Sequence, residues 1–160
     1  MIIINNGDFY TFNGYIKKDN NMLTASMEDY VEMIYRLSAD KGFTRINDLA
    51  NSLNVQPPSV TKMVQRLSEL KLSKYEKYGL VSLTELGNHI GEALLNKHNI
   101  VERFLRLLGV SNSILEETEK IEHSINEETL KCIHEFLDFV EGNSDVQNRF
   151  DSYKKFEKGK

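Results

Sequence analysis

Three side chains that can bind a divalent metal ion lie close together in NSILEETEKIEHSI, residues 112–125. Glu119, Glu122 and His123 stand at positions i, i+3 and i+4, and on a helix these spacings share one face. Carboxylate oxygens and imidazole nitrogens are ligands that suit Mn, Fe or Zn. A solvated acidic helix has a similar composition. Taken alone, this segment therefore predicts no more than half of a metal site.

Two features elsewhere in the chain favour the metal interpretation. Asp29 and Glu32 have i, i+3 spacing near the start of a predicted helix, although Asp29 also suits the positive end of that helix's dipole. His98 interrupts the apolar pattern of a long predicted helix. Two carboxylates and one imidazole would supply the half of the site that the first segment lacks. Four carboxylates held close together repel one another, and divalent cations would cancel that repulsion.

Length and composition set the class of protein. The chain has 160 residues, 40% of them hydrophobic, which predicts one domain or two small ones. No apolar run reaches the length of a membrane span, and the first residues lack the pattern of a signal peptide. The single Cys132 excludes an internal disulfide and fits a reducing compartment. We therefore expect a cytoplasmic protein.

The formal net charge of −4 hides an asymmetry along the chain. Residues 41–83 carry seven basic and three acidic side chains, whereas residues 84–141 carry five basic and twelve acidic ones. A basic part joined to an acidic part suggests one surface that faces phosphates and another that binds cations or a partner.

A helix-turn-helix is predicted in the basic part. One short helix spans about 45–53, and a second begins at Pro57 or Pro58 and runs to about Leu70. The turn between them at Asn54 and Val55 has the length typical of this motif. The polar side chains away from the predicted core suit phosphates and base edges. The candidate DNA contacts in this motif are Arg45, Gln56, Pro57, Ser59, Thr61, Lys62 and Gln65.

A β-hairpin is predicted directly after that motif, with strands at about 73–77 and 80–83 and a turn at Tyr78 and Gly79. A hairpin in this position is a wing. Its Lys74 and Lys77 are two further candidate DNA contacts. A winged domain used for protein contacts is the alternative.

The overall prediction is a mainly α protein. Apolar stripes at helical spacing place helices from near Thr24 or Ser26 to Gly42, from Thr84 to about Leu108 before Gly109, and from 127 to 141 after an Asn126 cap. We divide the chain into an N-terminal extension, 1–22; a winged helix-turn-helix DNA-binding domain, 23–84; a helical metal-binding and dimerisation domain, 85–142; and a polar tail, 143–160. The stripe of 127–141 is the predicted dimer contact.

This order of elements resembles the manganese transport regulator branch of the diphtheria-toxin-repressor family of metal-dependent transcriptional repressors. The resemblance covers roughly residues 23–141. It rests on SMEDYVEMIY, PPSVTKMVQRL, YEKYGLVSLTELG, KHNIVERFLRLLGV and EKIEHSI.

The resemblance implies a homodimer that binds operator DNA and represses manganese uptake genes when activated by Mn²⁺. It implies two ions per subunit, with Fe²⁺, Co²⁺, Zn²⁺ or Cd²⁺ able to substitute, and with Glu32 and Glu122 bridging the ions. The implied ligands are Asp29, Glu32, His98, Glu119, Glu122 and His123.

Three alternatives remain open. The iron-responsive branch of the family typically has methionine where Asp29 stands and cysteine where Glu119 stands, and this chain has neither. An Fe²⁺-responsive repressor is nevertheless possible, because raw affinity ranks Fe²⁺ above Mn²⁺. A metal-independent winged-helix regulator would leave the six matched ligands unexplained. A di-metal carboxylate enzyme would typically carry two Glu-x-x-His motifs, which are missing here, so we expect no enzyme activity.

Overall fold

The computed structural model describes residues 23–158. The N-terminal extension predicted at 1–22 lies outside the described residues. The chain forms two compact units, one ending at Asn96 and the other beginning at Lys97. The first contains α1 (Ala25–Ser38), β1 (Thr44–Arg45), α2 (Ile46–Ser52), α3 (Pro57–Glu69), β2 (Ser73–Glu76), β3 (Leu80–Leu83) and the first half of α4 (Glu85–Leu108). The second contains the rest of α4, α5 (Ile114–Glu122), α6 (Glu127–Glu141) and α7 (Ser144–Lys158).

Helix α1 begins where the sequence predicted. The hydroxyl oxygen of Thr24 accepts a hydrogen bond from the amide of Met27 at 3.3 Å, as an N-cap side chain does. Met27, Val31 and Ile34 are buried on its inner face. The helix ends at Ser38, and Gly42 (φ +76°) closes the following turn by donating its amide hydrogen to the Ser38 carbonyl at 2.7 Å.

The helix-turn-helix prediction is confirmed, with both helices slightly shorter than expected. Asn54 adopts a left-handed conformation (φ 52°) in the turn between α2 and α3. Pro57 occupies the first position of α3. An amide hydrogen at that position has no partner within the helix, so proline, which lacks this hydrogen, costs no hydrogen bond there. Val60, Val64 and Leu67 are completely buried on the core side of α3, which leaves the opposite side of the helix for other contacts.

The wing is also confirmed, but it belongs to a larger sheet than predicted. The antiparallel order is β1-β3-β2, with Arg45 opposite Leu80 and Tyr75 opposite Val81. A single turn of 3₁₀ helix, Lys77–Gly79, joins β2 and β3. The sequence did not predict β1, because two residues are too few to show the alternation that identifies a strand.

The ends of α4 follow the prediction. The Thr84 hydroxyl oxygen accepts a hydrogen bond from the Gly87 amide at 3.0 Å and donates to the Lys71 carbonyl at 2.7 Å. This single side chain therefore caps α4 and holds it against the segment that leads into the wing. Gly109, with φ +91°, ends the helix as a C′ glycine does.

Helix α5 is shorter than the 112–125 segment predicted. It ends at Glu122, and His123 is its C-cap residue with right-handed helical angles, so the i, i+3, i+4 placement of the candidate ligands is retained. Helix α6 begins as predicted, since the Asn126 side-chain oxygen accepts a hydrogen bond from the Thr129 amide at 2.8 Å.

Most of the segment predicted as a polar tail, 143–160, is helical, since residues 144–158 form α7. Lys154 attaches this helix to the end of α4. Its ammonium donates to the Leu107 carbonyl at 3.0 Å and lies 4.6 Å from the centroid of the Phe150 ring. Cations suit the carbonyl end of a helix. The sequence concealed α7 because few apolar side chains, such as Val146 and Phe150, are spaced among polar ones.

Within the described part of the chain, no helix is both long enough and apolar enough to cross a membrane.

The packing of α4 against the wing predicts the effect of Gly87→Ala. Alanine normally stabilises a helix by about 1 kcal/mol over glycine. Here the added Cβ would lie 2.0 Å from the Leu72 carbonyl oxygen, which is held in place by the Thr84 amide at 3.0 Å. We expect a net destabilisation of about 1–3 kcal/mol, measured by chemical or thermal unfolding. The matched control is Asn88→Ala, at the next, exposed position. Equal stability of the two variants would contradict the packing.

Candidate metal centre and DNA-binding surface

The second unit brings four of the six predicted ligands together. Helix α4 presents His98, which is 3% exposed. The end of α5 presents Glu119, Glu122 and His123, whose ligand atoms lie within 4.8 Å of one another. His98 joins this group because its Nδ1 is 2.8 Å from an oxygen of Glu122 and 3.8 Å from one of Glu119.

Glu122 lies between the two imidazoles. Its Oε2 faces Nδ1 of His98 at 2.8 Å, and its Oε1 is 3.8 Å from Nε2 of His123. Each carboxylate oxygen of Glu122 is therefore directed to a different histidine. With Glu119, these side chains offer the oxygen and imidazole donors that fit a divalent transition metal.

The inward side of α5 buries polar side chains beside the apolar ones that an amphipathic helix normally buries. The buried residues of α5 are Thr118 and Glu122, while Leu115 is 60% exposed. The Thr118 hydroxyl is satisfied by the Ile114 carbonyl at 2.8 Å. The half-buried Ile114 and Ile121 lie on this same side of α5, so the inward face combines apolar packing with the placement of Glu122 beside His98.

The other acids of α5 are arranged differently. The Lys120 ammonium binds Glu116 at 2.7 Å and Glu117 at 3.1 Å. The hydrogen bond from Lys120 lowers the pKa of Glu116, and the hydrogen bonds to Glu116 and Glu117 raise the pKa of Lys120. Glu116 and Glu117 are thus paired with Lys120 at the surface, whereas Glu119 and Glu122 lie near the histidines.

Asp29 and Glu32 lie on α1 in the first unit, nearly one helical turn apart. Asp29 is half-buried, and Glu32 is 8% exposed. The Arg36 guanidinium donates to the Glu32 carboxylate from the next turn. Both acids are therefore held on a well-anchored helix, and their participation in metal binding stays a prediction.

Glu102 is a carboxylate near His98 that is not among the six predicted ligands. One of its oxygens is 3.8 Å from Nε2 of His98, and its other oxygen accepts from Nε of Arg106 at 2.8 Å. Its i+4 spacing from His98 was the signal in the sequence that predicted this proximity.

The predicted DNA contacts occupy exposed positions of the first unit with one exception. Thr61 is half-buried, and its hydroxyl donates to the Pro57 carbonyl at 3.1 Å. The exposed members are Arg45, Gln56, Pro57, Ser59, Lys62, Gln65, Lys74 and Lys77. Their role in DNA binding stays a prediction.

A cleft beside the turn of the helix-turn-helix adds residues that the sequence did not single out. Its lining includes the amide side chains of Asn47, Asn51, Asn54 and Gln56. Amides both donate and accept hydrogen bonds, so this lining suits phosphates or base edges. The i, i+4 spacing of Asn47 and Asn51 was the available signal.

The winged helix-turn-helix and the cluster of carboxylates and imidazoles define the class of a metal-responsive DNA-binding protein. Two family models agree with this class. Residues 22–81 match the iron dependent repressor N-terminal DNA-binding domain, and residues 84–151 match the iron dependent repressor metal-binding and dimerisation domain. The chain belongs to this family of metal-dependent transcriptional repressors, which confirms the resemblance predicted from its motifs.

Individual relatives support the same assignment. The chain is 40% identical over 134 residues to the HTH-type transcriptional regulator MntR of Lysinibacillus sphaericus (strain C3-41), covering 83% of this chain and 96% of that protein. The structure is similar to that of the manganese regulator SloR (TM-score 0.63, 29% identity, 73% of this chain and 55% of SloR). It is also similar to the manganese-activated repressor ScaR (TM-score 0.57, 30% identity, 69% of this chain and 54% of ScaR). The matched part is about half of each of these two solved chains.

The position of Glu122 predicts that Glu122→Gln weakens Mn²⁺ binding by more than about tenfold. Loss of a residue that only hydrogen-bonds to a metal ligand already lowers metal affinity by about that factor. Glutamine keeps the size and hydrogen-bonding capacity of the side chain but removes its charge. Isothermal titration with Mn²⁺ measures the effect. The matched control is Glu116→Gln, the same change at an exposed position of α5. If both variants bind Mn²⁺ as the wild type does, Glu122 is not a ligand.

Proposed function

We propose that the protein is a Mn²⁺-activated repressor that binds the operators of manganese uptake genes as a homodimer. The observation that carries this proposal is the placement of the buried Glu122 between His98 and His123 in a chain whose other unit is a winged helix-turn-helix. The proposed ligands for two ions per subunit are Asp29, Glu32, His98, Glu119, Glu122 and His123.

The chemistry of these six ligands supports Mn²⁺. Four are carboxylates and two are imidazoles, and none is a sulfur ligand. Hard oxygen ligands suit Mn²⁺, whereas thiolates and thioethers favour softer metals. SloR is a manganese regulator and ScaR is a manganese-activated repressor. Because intrinsic affinity ranks Fe²⁺, Co²⁺ and Zn²⁺ above Mn²⁺, the response to Mn²⁺ would depend on site geometry and on which metal is available.

The proposed mechanism follows from where the ligands lie in the chain. Asp29 and Glu32 belong to the DNA-binding unit, and the remaining four belong to the second unit. Bound cations supply the positive charge that offsets the repulsion among four carboxylates. Glu32 and Glu122 would then bind the same ions from the two units, so the DNA-competent arrangement would become more populated. The shift is limited by how much more tightly the metal binds that arrangement.

Exposed apolar side chains support the homodimer. In the second unit Phe139 is 56% exposed and Phe136 is 47% exposed, both on α6. Further exposed apolar residues of this unit are Leu108, Leu115, Tyr153 and Phe156. Concentrated apolar exposure of this kind marks a protein contact. A dimer would present two copies of α3 to successive turns of the DNA major groove, roughly 34 Å apart.

The experiment that tests the proposed function is a fluorescence anisotropy titration of a labelled duplex from a manganese transporter promoter. Salt is fixed, because phosphate contacts make DNA affinity depend steeply on salt concentration. We expect weak binding with chelator and binding at least about tenfold tighter with Mn²⁺, within the usual range of coupling free energies. A parallel anaerobic titration with Fe²⁺ distinguishes the iron-responsive alternative. Equal affinity with chelator and with Mn²⁺ would contradict metal activation.

The dimer contact predicts that Phe139→Glu shifts the protein toward the monomer, because a charge would have to be buried without a partner. Light scattering coupled to size exclusion measures the mass in solution. Lys131→Glu introduces the same side chain at another exposed position of α6 and is expected to leave the dimer intact. A dimer of unchanged stability in Phe139→Glu would place the interface elsewhere.

A further inference from the structure

Glu32 carries its carboxylate on the inner side of α1, where it is almost completely removed from water. Its side chain is 11% exposed, and the neighbouring positions Val31 and Ile34 are completely buried. A negative charge in such surroundings is costly unless it has a partner, because it loses the stabilisation that water provides. The partner of Glu32 therefore affects how readily this carboxylate could bind a metal ion.

Arg36 supplies that partner from within the same helix. Its guanidinium donates a hydrogen bond to Oε1 of Glu32. The two residues have i, i+4 spacing with the glutamate on the N-terminal side, which is the more favourable order for such a pair. Arg36 also lies in the last turn of α1, where the helix dipole favours a cation. Since both residues belong to α1, the pair needs no contribution from the second unit.

The same carboxylate has a different task in the proposed function, where Glu32 is one of the two residues that bridge the metal ions. A bridging carboxylate uses both of its oxygens. While Oε1 accepts from Arg36, a cation bound to that oxygen would lie beside the guanidinium, and like charges at short range repel each other. Metal binding through both oxygens of Glu32 is therefore weakened for as long as Arg36 keeps its position.

The exposure of Arg36 allows its guanidinium to be displaced. The Arg36 side chain is 36% exposed, so the charge can return to water without crossing the core. An ion pair that water reaches contributes little net stability. A divalent ion carries twice the charge of a guanidinium and neutralises Glu32 more strongly. Exchange of Arg36 for the metal thus becomes favourable once enough metal is available.

We propose that Arg36 is an internal competitor of the metal ion, which holds Oε1 of Glu32 and thereby raises the Mn²⁺ concentration needed for activation. This inference rests on the proposed function and adds to it a residue that is not a ligand. Its sign is distinctive. Loss of a residue that positions a ligand weakens metal binding, whereas loss of a competitor strengthens it.

The first test is isothermal titration of full-length Arg36→Met with Mn²⁺. Methionine keeps the length and the high helix propensity of arginine but removes its charge. We expect Mn²⁺ to bind about three- to tenfold more tightly than to the wild type, as the release of one partly exposed charged hydrogen bond predicts. The matched control is Lys41→Met, which removes one positive charge from an exposed position after α1. Its affinity should change by less than about twofold, because exposed charges are screened by salt.

Thermal unfolding separates competition from a purely structural role. In chelator, Arg36→Met should unfold at a lower temperature than the wild type, because the buried Glu32 carboxylate loses its partner. With saturating Mn²⁺ this difference should shrink or reverse, since a more tightly bound ligand stabilises the folded state more. An equal loss of stability in both conditions would show that Arg36 only stabilises α1 and would overturn the inference.

The promoter titration measures the consequence for DNA binding. The Mn²⁺ concentration that gives half-maximal anisotropy should fall in Arg36→Met by the same factor as the dissociation constant for Mn²⁺. If the wild type binds Mn²⁺ and Arg36→Met binds it equally or more weakly, the inference is wrong and the proposed function is unaffected. Absence of Mn²⁺-dependent DNA binding by the wild type would instead contradict the proposed function, and the inference with it.

Discussion

A carboxylate that is only 4% exposed needs hydrogen-bonding or charged partners, because burial removes it from water. Glu122 meets this requirement through Nδ1 of His98 at 2.8 Å. The two residues come from different helices, so their contact requires α4 to extend to His98 and α5 to end near Glu122. The rest of the second unit can be understood as the support for this pair.

The local signals that fix these helices agree with that requirement. Gly109 ends α4 with φ +91°, and Asn126 caps the start of α6, so α5 has a short interval in which to form. Lys120 binds Glu116 and Glu117, which pairs two acids of α5 that are not candidate ligands. The helix buries Thr118 and Glu122 on the side that also carries the half-buried Ile114 and Ile121. Because a polar contact contributes little net stability, the burial of Glu122 on this face is better explained by a role in the site.

How much the sequence predicted depended on whether each feature has a local signal. The N-caps Thr24 and Asn126 act within three residues, so the starts of α1 and α6 were predictable. The strand β1 exists only because Thr44 and Arg45 pair with β3, and no local pattern identifies such a pairing. Helix α7 has few apolar side chains that could show helical spacing, and Lys154 contacts the end of α4 across 47 positions, so no local pattern distinguished it from a tail.

The candidate site shows the same division between local and distant information. The spacing of Glu119, Glu122 and His123 predicted a shared face, and the structure places their ligand atoms within 4.8 Å. Spacing did not predict that Glu122 would direct one oxygen to each histidine, because that geometry depends on how α4 packs against α5. Metal selectivity is still harder to predict from the sequence. All six proposed ligands are of types that bind other divalent metals with higher intrinsic affinity than they bind Mn²⁺. Discrimination between these metals would therefore have to come from such geometry, with Glu122 as its central element.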